Sequence, residues 1–142
     1  MGGARDLFNR TPTLAEMAAL AAIVRDAAGN DGEESCVALA WALLNRCAGG
    51  RPRIGESRFA PTNSDFADPA FWRALSAACR AWTGDAPDPT RGATRFHSHT
   101  DYPRWAHRTV PNALIGKNFF YPPDPPGIRA PGRVQPRKET PI

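Results

Sequence analysis

The sequence predicts a mainly α domain of the α+β class, in which helices surround a buried central helix and a small antiparallel β-ribbon packs at one side. Apolar residues recur at helical spacing early in the chain, and a second, almost wholly apolar run follows. After Gly84 the pattern changes to turn formers and short β-branched and aromatic runs. A chain of 142 residues can bury one core. We therefore expect a domain over residues 13–121, an N-terminal arm over 1–12 and a Pro/Arg-rich extended tail over 122–142.

The first helix has signals at both ends. Thr13 and Glu16 have the spacing of a capping box, and apolar residues then recur at helical spacing. Gly29 and Asn30 both tolerate the left-handed conformation that commonly ends a helix. The pattern predicts a helix over residues 13–28.

The second helix is expected to be the most buried element. Residues 33–47 are apolar nearly all round, and Gly49 and Gly50 follow. A helix without a polar face belongs at the centre of a fold. We expect Leu39, Trp41 and Leu43 to lie in the core.

A third helix is predicted after an irregular loop over residues 50–67. Asp68 is a favourable N-cap, and Pro69 suits the first helical position because its missing N–H would have no partner there. The apolar pattern continues through Trp82. The helix is therefore expected to end before Gly84.

The strand-type runs lie in the last third of the domain. Residues 93–97 combine β-branched and aromatic side chains, and residues 113–121 form a second run of this type. We expect the two runs to pair as the antiparallel ribbon.

Composition excludes several classes of protein. The formal net charge of +4 comes almost entirely from arginine without a run, so it favours approach to polyanions without choosing among them. Because the basic residues neither cluster on a helix face nor interleave with an aromatic platform, no nucleic-acid partner is expected. No stretch approaches the roughly 20 apolar residues of a membrane span, so none is expected. The three cysteines, which lie in apolar helical runs, are expected to be inert core residues.

Metal and nucleophile chemistry are not expected either. His97, His99 and His107 invite a zinc interpretation, but no acidic or thiolate partner lies at ligand spacing. The serines lack the glycine setting of a nucleophile elbow. We expect no metal and no other cofactor.

The aromatic residues near position 100 leave two alternatives open. Phe96 is expected to be core. Tyr102 and Trp105 lie in a polar loop, where they are either further core residues or a platform that stacks on the apolar face of a sugar.

Four motifs in order carry a resemblance to a known family: VALAWALLNR, DPTRGATRFHSH, YPRWA and IGKNFFY. Across about residues 20–121 the chain resembles the SleB/CwlJ-type cell-wall hydrolases. The resemblance implies a lysozyme-like helical fold and an enzyme that cleaves peptidoglycan glycan strands as a lytic transglycosylase or a muramidase. The residues that we expect to bind substrate are His97, Tyr102, Trp105, Asn118 and Tyr121.

The resemblance also places a catalytic acid where this chain has none. The family's Gly-Glu-Ala-Arg-Gly-Glu motif, counted back without a gap from Leu44-Asn45-Arg46, puts its general-acid glutamate on Ala27 and its second carboxylate on Asp31. Glycosidic cleavage needs a proton for the departing oxygen, which an alanine cannot supply. Two explanations remain: an engineered Glu-to-Ala inactivation, which we favour, or a natural inactive member that binds cell wall or a protein. Asp31 is expected to position sugar or water, whereas the other carboxylates of this break are expected to be solvated or capping groups.

The expected partners and location follow from the resemblance. Peptidoglycan glycan strands are the expected ligand. The N-terminal segment lacks the apolar core of a signal peptide, so we expect synthesis in the bacterial cytoplasm and action at the cell wall or periplasm after release or delivery. A phage endolysin, a particle-associated enzyme and a secreted antibacterial effector all fit, and an effector would imply a cognate immunity protein.

Overall fold

The computed structural model describes residues 13–48 and 61–123. These residues form four α-helices followed by a three-stranded antiparallel sheet, with a short 3-10 helix at Arg104–Ala106. The elements are α1 (Leu14–Ala28), α2 (Glu33–Ala48), α3 (Asn63–Phe66), α4 (Pro69–Trp82), β1 (Arg95–Ser98), β2 (Ala113–Ile115) and β3 (Asn118–Tyr121). The predicted mainly α domain with a small antiparallel sheet is confirmed. The expected arm (1–12) and all of the expected tail beyond Pro123 lie outside the described residues.

Helix α1 has the predicted ends. Thr13 Oγ1 accepts a hydrogen bond from the Glu16 backbone N–H at 3.0 Å, and Glu16 Oε1 accepts one from the Thr13 N–H at 2.9 Å. This capping box satisfies two N–H groups that have no partner within the helix. At the other end Gly29 adopts a φ of +59°, a conformation that glycine reaches without a Cβ penalty.

Helix α2 is the buried centre of the fold. Residues 35–44 are all buried, and the helix packs against α1, α4 and strands of the sheet. The Trp41 indole N–H donates to the Ala86 carbonyl at 2.8 Å, so its one polar group is satisfied in the core. The predicted burial of Leu39, Trp41 and Leu43 is confirmed.

Helix α4 begins as predicted, but not all of its apolar residues are buried. Asp68 Oδ1 accepts from the Ala70 N–H at 2.9 Å, and Pro69 is the first helical residue. The buried residues of this helix are Phe71, Ala74, Ala77, Ala78, Ala81 and Trp82. Cys79 lies beside that stripe and is exposed, so the expectation that every cysteine is a core residue is wrong for Cys79.

Part of the predicted irregular loop is helical. Residues 49–60 lie outside the described part of the chain, whereas residues 63–66 form α3. The Thr62 backbone N–H donates to Asp65 Oδ2 at 2.9 Å, and Arg25 Nη1 donates to Asp65 Oδ1 at 2.7 Å. A local cap and one ion pair to α1 therefore order a turn that the sequence analysis assigned to loop.

The sheet has three strands instead of the two-stranded ribbon that was expected. The run 113–121 is itself a hairpin, because Gly116 adopts a φ of +61° and reverses the chain between β2 and β3. Strand β3 is central and also pairs with β1, where Phe96 lies opposite Phe120 and Ser98 opposite Asn118.

Alternation along the strands gives the sheet two distinct sides. The helix-facing side contains the fully buried Phe120, together with Asn118 and Phe96. Phe96 packs against the core as expected, with its ring centroid 5.9 Å from that of Phe120. The opposite side, which we call the outer side, contains His97 and Tyr121. None of the described helices is long and apolar enough to cross a membrane.

Candidate functional site

Position 27, where a catalytic acid was expected, lies in the last turn of α1 beside the sheet. Ala27 is half-buried and packs against the hydrophobic core. Its carbonyl oxygen accepts a hydrogen bond from Asn118 Nδ2 at 3.3 Å. Asn118 is 2% exposed, so its amide contacts the end of α1 from the helix-facing side of the sheet. The structure therefore brings together two predicted site residues that are 91 positions apart.

Asp31 joins the turn after α1 to the turn between β2 and β3. Its Oδ2 accepts hydrogen bonds from Ser35 Oγ at 3.2 Å and from the Lys117 backbone N–H at 3.0 Å. A Cβ on Gly116 would overlap Asp31 Oδ2 and would lie 2.6 Å from Ser35 Oγ, so only glycine allows this close approach. The structure gives Asp31 a bracing role, and the predicted role in positioning sugar or water stays a prediction.

Lys117 places a charge near position 27 that no local sequence pattern indicates. A Cβ on Gly29 would lie 2.6 Å from Lys117 Nζ, which places the ammonium against the C-terminal end of α1. Helix carbonyl dipoles favour a cation at this end and disfavour an anion. The dipole would raise the pKa of an acid placed at residue 27, and the ammonium would oppose that rise. The only sequence signal was the place of this lysine in the turn of the IGKNFFY motif.

The other carboxylates of the polar break lie towards solvent. Asp26 has a side chain that is 74% exposed and pairs with Arg25 at 3.2 Å. Glu33 forms an ion pair with Arg80, and Glu33 and Glu34 line a surface depression of about 330 Å³. All three are exposed, as solvated groups would be, but Glu33 also forms an ion pair that was not expected.

Four of the predicted substrate-binding residues form one cluster on the outer side of the sheet, which we call the aromatic surface: His97, Tyr102, Trp105 and Tyr121. His97 stacks on Tyr121 with ring centroids 5.3 Å apart, and Trp105 meets Tyr121 edge-on at 5.1 Å. Tyr102 is 62% exposed and Trp105 is 40% exposed, whereas His97 and Tyr121 are buried. The exposed Tyr102 and Trp105 therefore pack on the buried His97 and Tyr121. This arrangement favours the platform alternative over a core role for Trp105.

Hydrogen bonds hold the two buried residues of the aromatic surface, His97 and Tyr121, in place. His97 Nδ1 lies 2.8 Å from the Ser98 carbonyl oxygen, which can only accept, so Nδ1 carries a proton. His97 Nε2 lies 2.8 Å from the Tyr121 hydroxyl, which donates to it when the imidazole is neutral. Burial raises the pKa of Tyr121 above its ordinary value, which keeps the hydroxyl protonated and able to donate.

Arg95 contacts Trp105, one of the two exposed rings of the aromatic surface. Its guanidinium carbon lies 4.8 Å from the centroid of the Trp105 ring, and its Nη2 donates to the Pro122 carbonyl at 2.7 Å. A guanidinium over an indole is attracted by the negative face of the ring. The contact stabilises the orientation of Trp105 by about 0.5–1 kcal/mol.

The predicted substrate-binding set is thus divided between two places. Asn118 lies on the helix-facing side next to Ala27, and the aromatic surface lies on the outer side. The division follows from strand alternation, since Asn118 and Tyr121 are three residues apart on β3.

The motifs that carried the resemblance bind one another. Asp88 Oδ1 accepts from the Thr90 N–H at 2.8 Å and from its hydroxyl at 2.7 Å. Asp88 Oδ2 accepts from the Gly92 N–H and from Asn45 Nδ2, both at 3.0 Å. Arg46 Nε donates to the Thr94 carbonyl at 2.9 Å. The Leu-Asn-Arg end of α2 therefore holds the Asp-Pro-Thr-x-Gly-Ala turn in place.

The histidines do not form a metal centre within residues 13–48 and 61–123. No group of three or more His, Cys, Asp or Glu side chains in these ranges could hold a metal ion. Both ring nitrogens of His97 are engaged, and the exposed His107 has its Nε2 3.2 Å from the Tyr102 carbonyl oxygen.

No protein-family model matches this chain, and no curated protein or solved structure matches it either.

Proposed function

We propose that this chain has the scaffold of an enzyme that cleaves peptidoglycan glycan strands, of lytic-transglycosylase or muramidase type, and that Ala27 disables it. The observation that carries the proposal is the contact between distant motif segments around the end of α1. Asn118 bonds to the Ala27 carbonyl, and the Lys117 N–H bonds to Asp31. Sequence segments that matched the family by chance would have no reason to lie in contact in the folded chain, whereas these segments do.

The position of residue 27 suits a general acid. Cleavage of a glycosidic bond develops oxocarbenium character while the leaving oxygen takes a proton, and a sheltered carboxylic acid can supply that proton. Residue 27 is half-buried and lies in a helical turn whose carbonyl is held by Asn118, so a side chain there starts from a rigid backbone.

One acid is enough for one of the two reaction types. In a lytic transglycosylase the acetamido and 6-hydroxyl groups of the substrate act as internal participants, so only proton transfer falls to the enzyme. A muramidase needs a second carboxylate to act on the sugar or on water. Asp31 stands at the motif's second carboxylate, but its Oδ2 is occupied by protein donors, which favours the transglycosylase.

The alternative function is a naturally inactive module that binds cell wall or a protein. A specific observation favours it. The contacts of Asp31 and Asn118 and the aromatic surface are all present, whereas residue 27 has only a methyl group. The two proposals differ in what a restored acid would do.

The deciding experiment compares the present chain with Ala27→Glu and with Ala27→Gln, which has the same shape without an ionisable proton. We expect Ala27→Glu to raise the rate of peptidoglycan lysis by at least about 10²–10⁴, the usual size of a general-acid contribution, and Ala27→Gln to leave it unchanged. Mass analysis of the fragments would then separate anhydro ends, produced by a transglycosylase, from reducing ends, produced by a hydrolase.

Wall binding by each variant is measured in parallel. Binding by the present chain, with no lysis by folded Ala27→Glu, would support the module and contradict the enzyme scaffold. Lysis by the present chain at the rate of Ala27→Glu would place the acid elsewhere.

A further inference from the structure

The segment that carries the aromatic surface has an excess of basic residues. Residues 91–121 contain five of the 18 basic residues and one of the 14 acidic residues. This segment therefore has a formal net charge of +4. Positive charge around exposed aromatic rings attracts an anionic ligand.

Two of the five basic residues are available for a ligand beside the exposed rings. Arg104 and Arg108 flank Trp105 in the chain, both are exposed, and neither makes an ion pair with the described residues. By contrast, Arg91 donates to the Asn112 carbonyl at 2.8 Å. Arg95 and Lys117 also have the protein contacts described above.

The short separation between Trp105 and Arg104 in the chain limits where a bound sugar can carry its acidic group. Arg104 directly precedes Trp105 within one 3-10 turn. An acidic group attached close to the ring of a sugar stacked on Trp105 would therefore lie within reach of the long Arg104 side chain. A carboxylate on a lactyl ether of the ring satisfies this condition, whereas carboxylates along a stem peptide lie farther away on a flexible chain.

We propose that the aromatic surface binds peptidoglycan strands from which the stem peptides have been removed, by stacking a pyranose on Trp105 and Tyr102 and pairing the exposed lactyl carboxylate with Arg104 or Arg108. This inference rests on the proposed function, because it assumes a wall glycan as the ligand. Stacking supplies affinity for any pyranose. The charge-assisted guanidinium–carboxylate bond supplies preference for the acidic strand.

The test measures binding of the full chain to three probes: peptide-free glycan strands, strands that retain stem peptides, and neutral chitohexaose. We expect the peptide-free strands to bind about two- to fivefold more tightly than chitohexaose, since an exposed charge pair contributes up to about 1 kcal/mol. High salt should reduce this difference because the pair is exposed. Strands with stem peptides should bind like chitohexaose.

Matched variants assign the preference to residues. Arg104→Gln and Arg108→Gln should reduce the preference for peptide-free strands over chitohexaose. Arg73→Gln, which removes an exposed charge from α4, should change neither. Trp105→Ala should weaken binding of all three probes, and Trp105→Phe, which keeps a ring, should retain most of it.

The outcomes separate this inference from the proposed function. Equal affinity for peptide-free strands and chitohexaose, or for both kinds of strand, would overturn the inference and leave wall binding intact. A single-stranded oligonucleotide that binds as tightly as the peptide-free strand would overturn it in favour of nucleic-acid binding. Failure to bind any wall glycan would contradict both the inference and the proposed function.

Discussion

Replacing Gly116 with alanine tests the contact between the turn after α1 and the β2–β3 turn. Gly116 has a φ of +61°, and an alanine there costs about 1 kcal/mol or more in backbone strain. Its Cβ would also displace the Asp31 carboxylate, which accepts from Ser35 and from the Lys117 N–H. An intramolecular hydrogen bond contributes about 0.5–1.5 kcal/mol net. With two such bonds lost in addition to the strain, we expect Gly116→Ala to lower the free energy of unfolding by about 2–4 kcal/mol, measured by urea denaturation.

Gly84 provides a matched control for the strain alone. Its φ is +79°, and a Cβ there would have no atom within 4 Å. Gly84→Ala should therefore lower the free energy of unfolding by only about 1 kcal/mol. The informative quantity is the difference between the two variants. Equal losses would refute the idea that the close approach of Asp31 braces the two turns.

Two further predictions concern stability. Asp88→Ala should lower the free energy of unfolding by about 2–4 kcal/mol because four hydrogen bonds to its carboxylate are lost, while the exposed Asp85→Ala should change it by less than about 0.5 kcal/mol in the same urea titration. The Arg25 guanidinium holds the pKa of Asp65 below its ordinary value of 3.8, so the stabilisation by this carboxylate is complete above pH 3.8 and is lost as the pH falls through the lower, folded-state pKa. Asp65→Asn should therefore lose less stability on acidification below about pH 4 than the parent chain, and parallel acid limbs would contradict this account.

The helices could be predicted because their signals are local. The capping box of Thr13 and Glu16 and the Asp68-Pro69 start each lie within four residues, and the all-apolar run of α2 leaves it nowhere but the core. One local signal was not used in the prediction. Thr62 and Asp65 cap a helical turn inside a segment that looked irregular by composition.

The sheet and the site could be predicted only in part, because they depend on contacts between distant residues. Gly116 marks a turn, but nothing local shows that β3 would be central. The bond from Lys117 to Asp31 spans 86 positions, and the charge of Lys117 at the end of α1 is visible only when the chain is folded. The same is true of the division between Asn118 and the aromatic surface, which requires knowing the partner of each strand.

The hydrogen bonds of Asp88 have a consequence for how such sequences evolve and are recognised. The Asp-Pro-Thr-x-Gly-Ala turn and Asn45 are tied to each other, so selection for a stable fold is sufficient to retain them. The Ala27 side chain packs against the hydrophobic core and takes no part in those hydrogen bonds. Under the proposed function, one substitution at residue 27 therefore removes the chemistry and leaves the contacts between the motifs intact. Residue 27 is then the position that separates active from inactive chains that share these motifs.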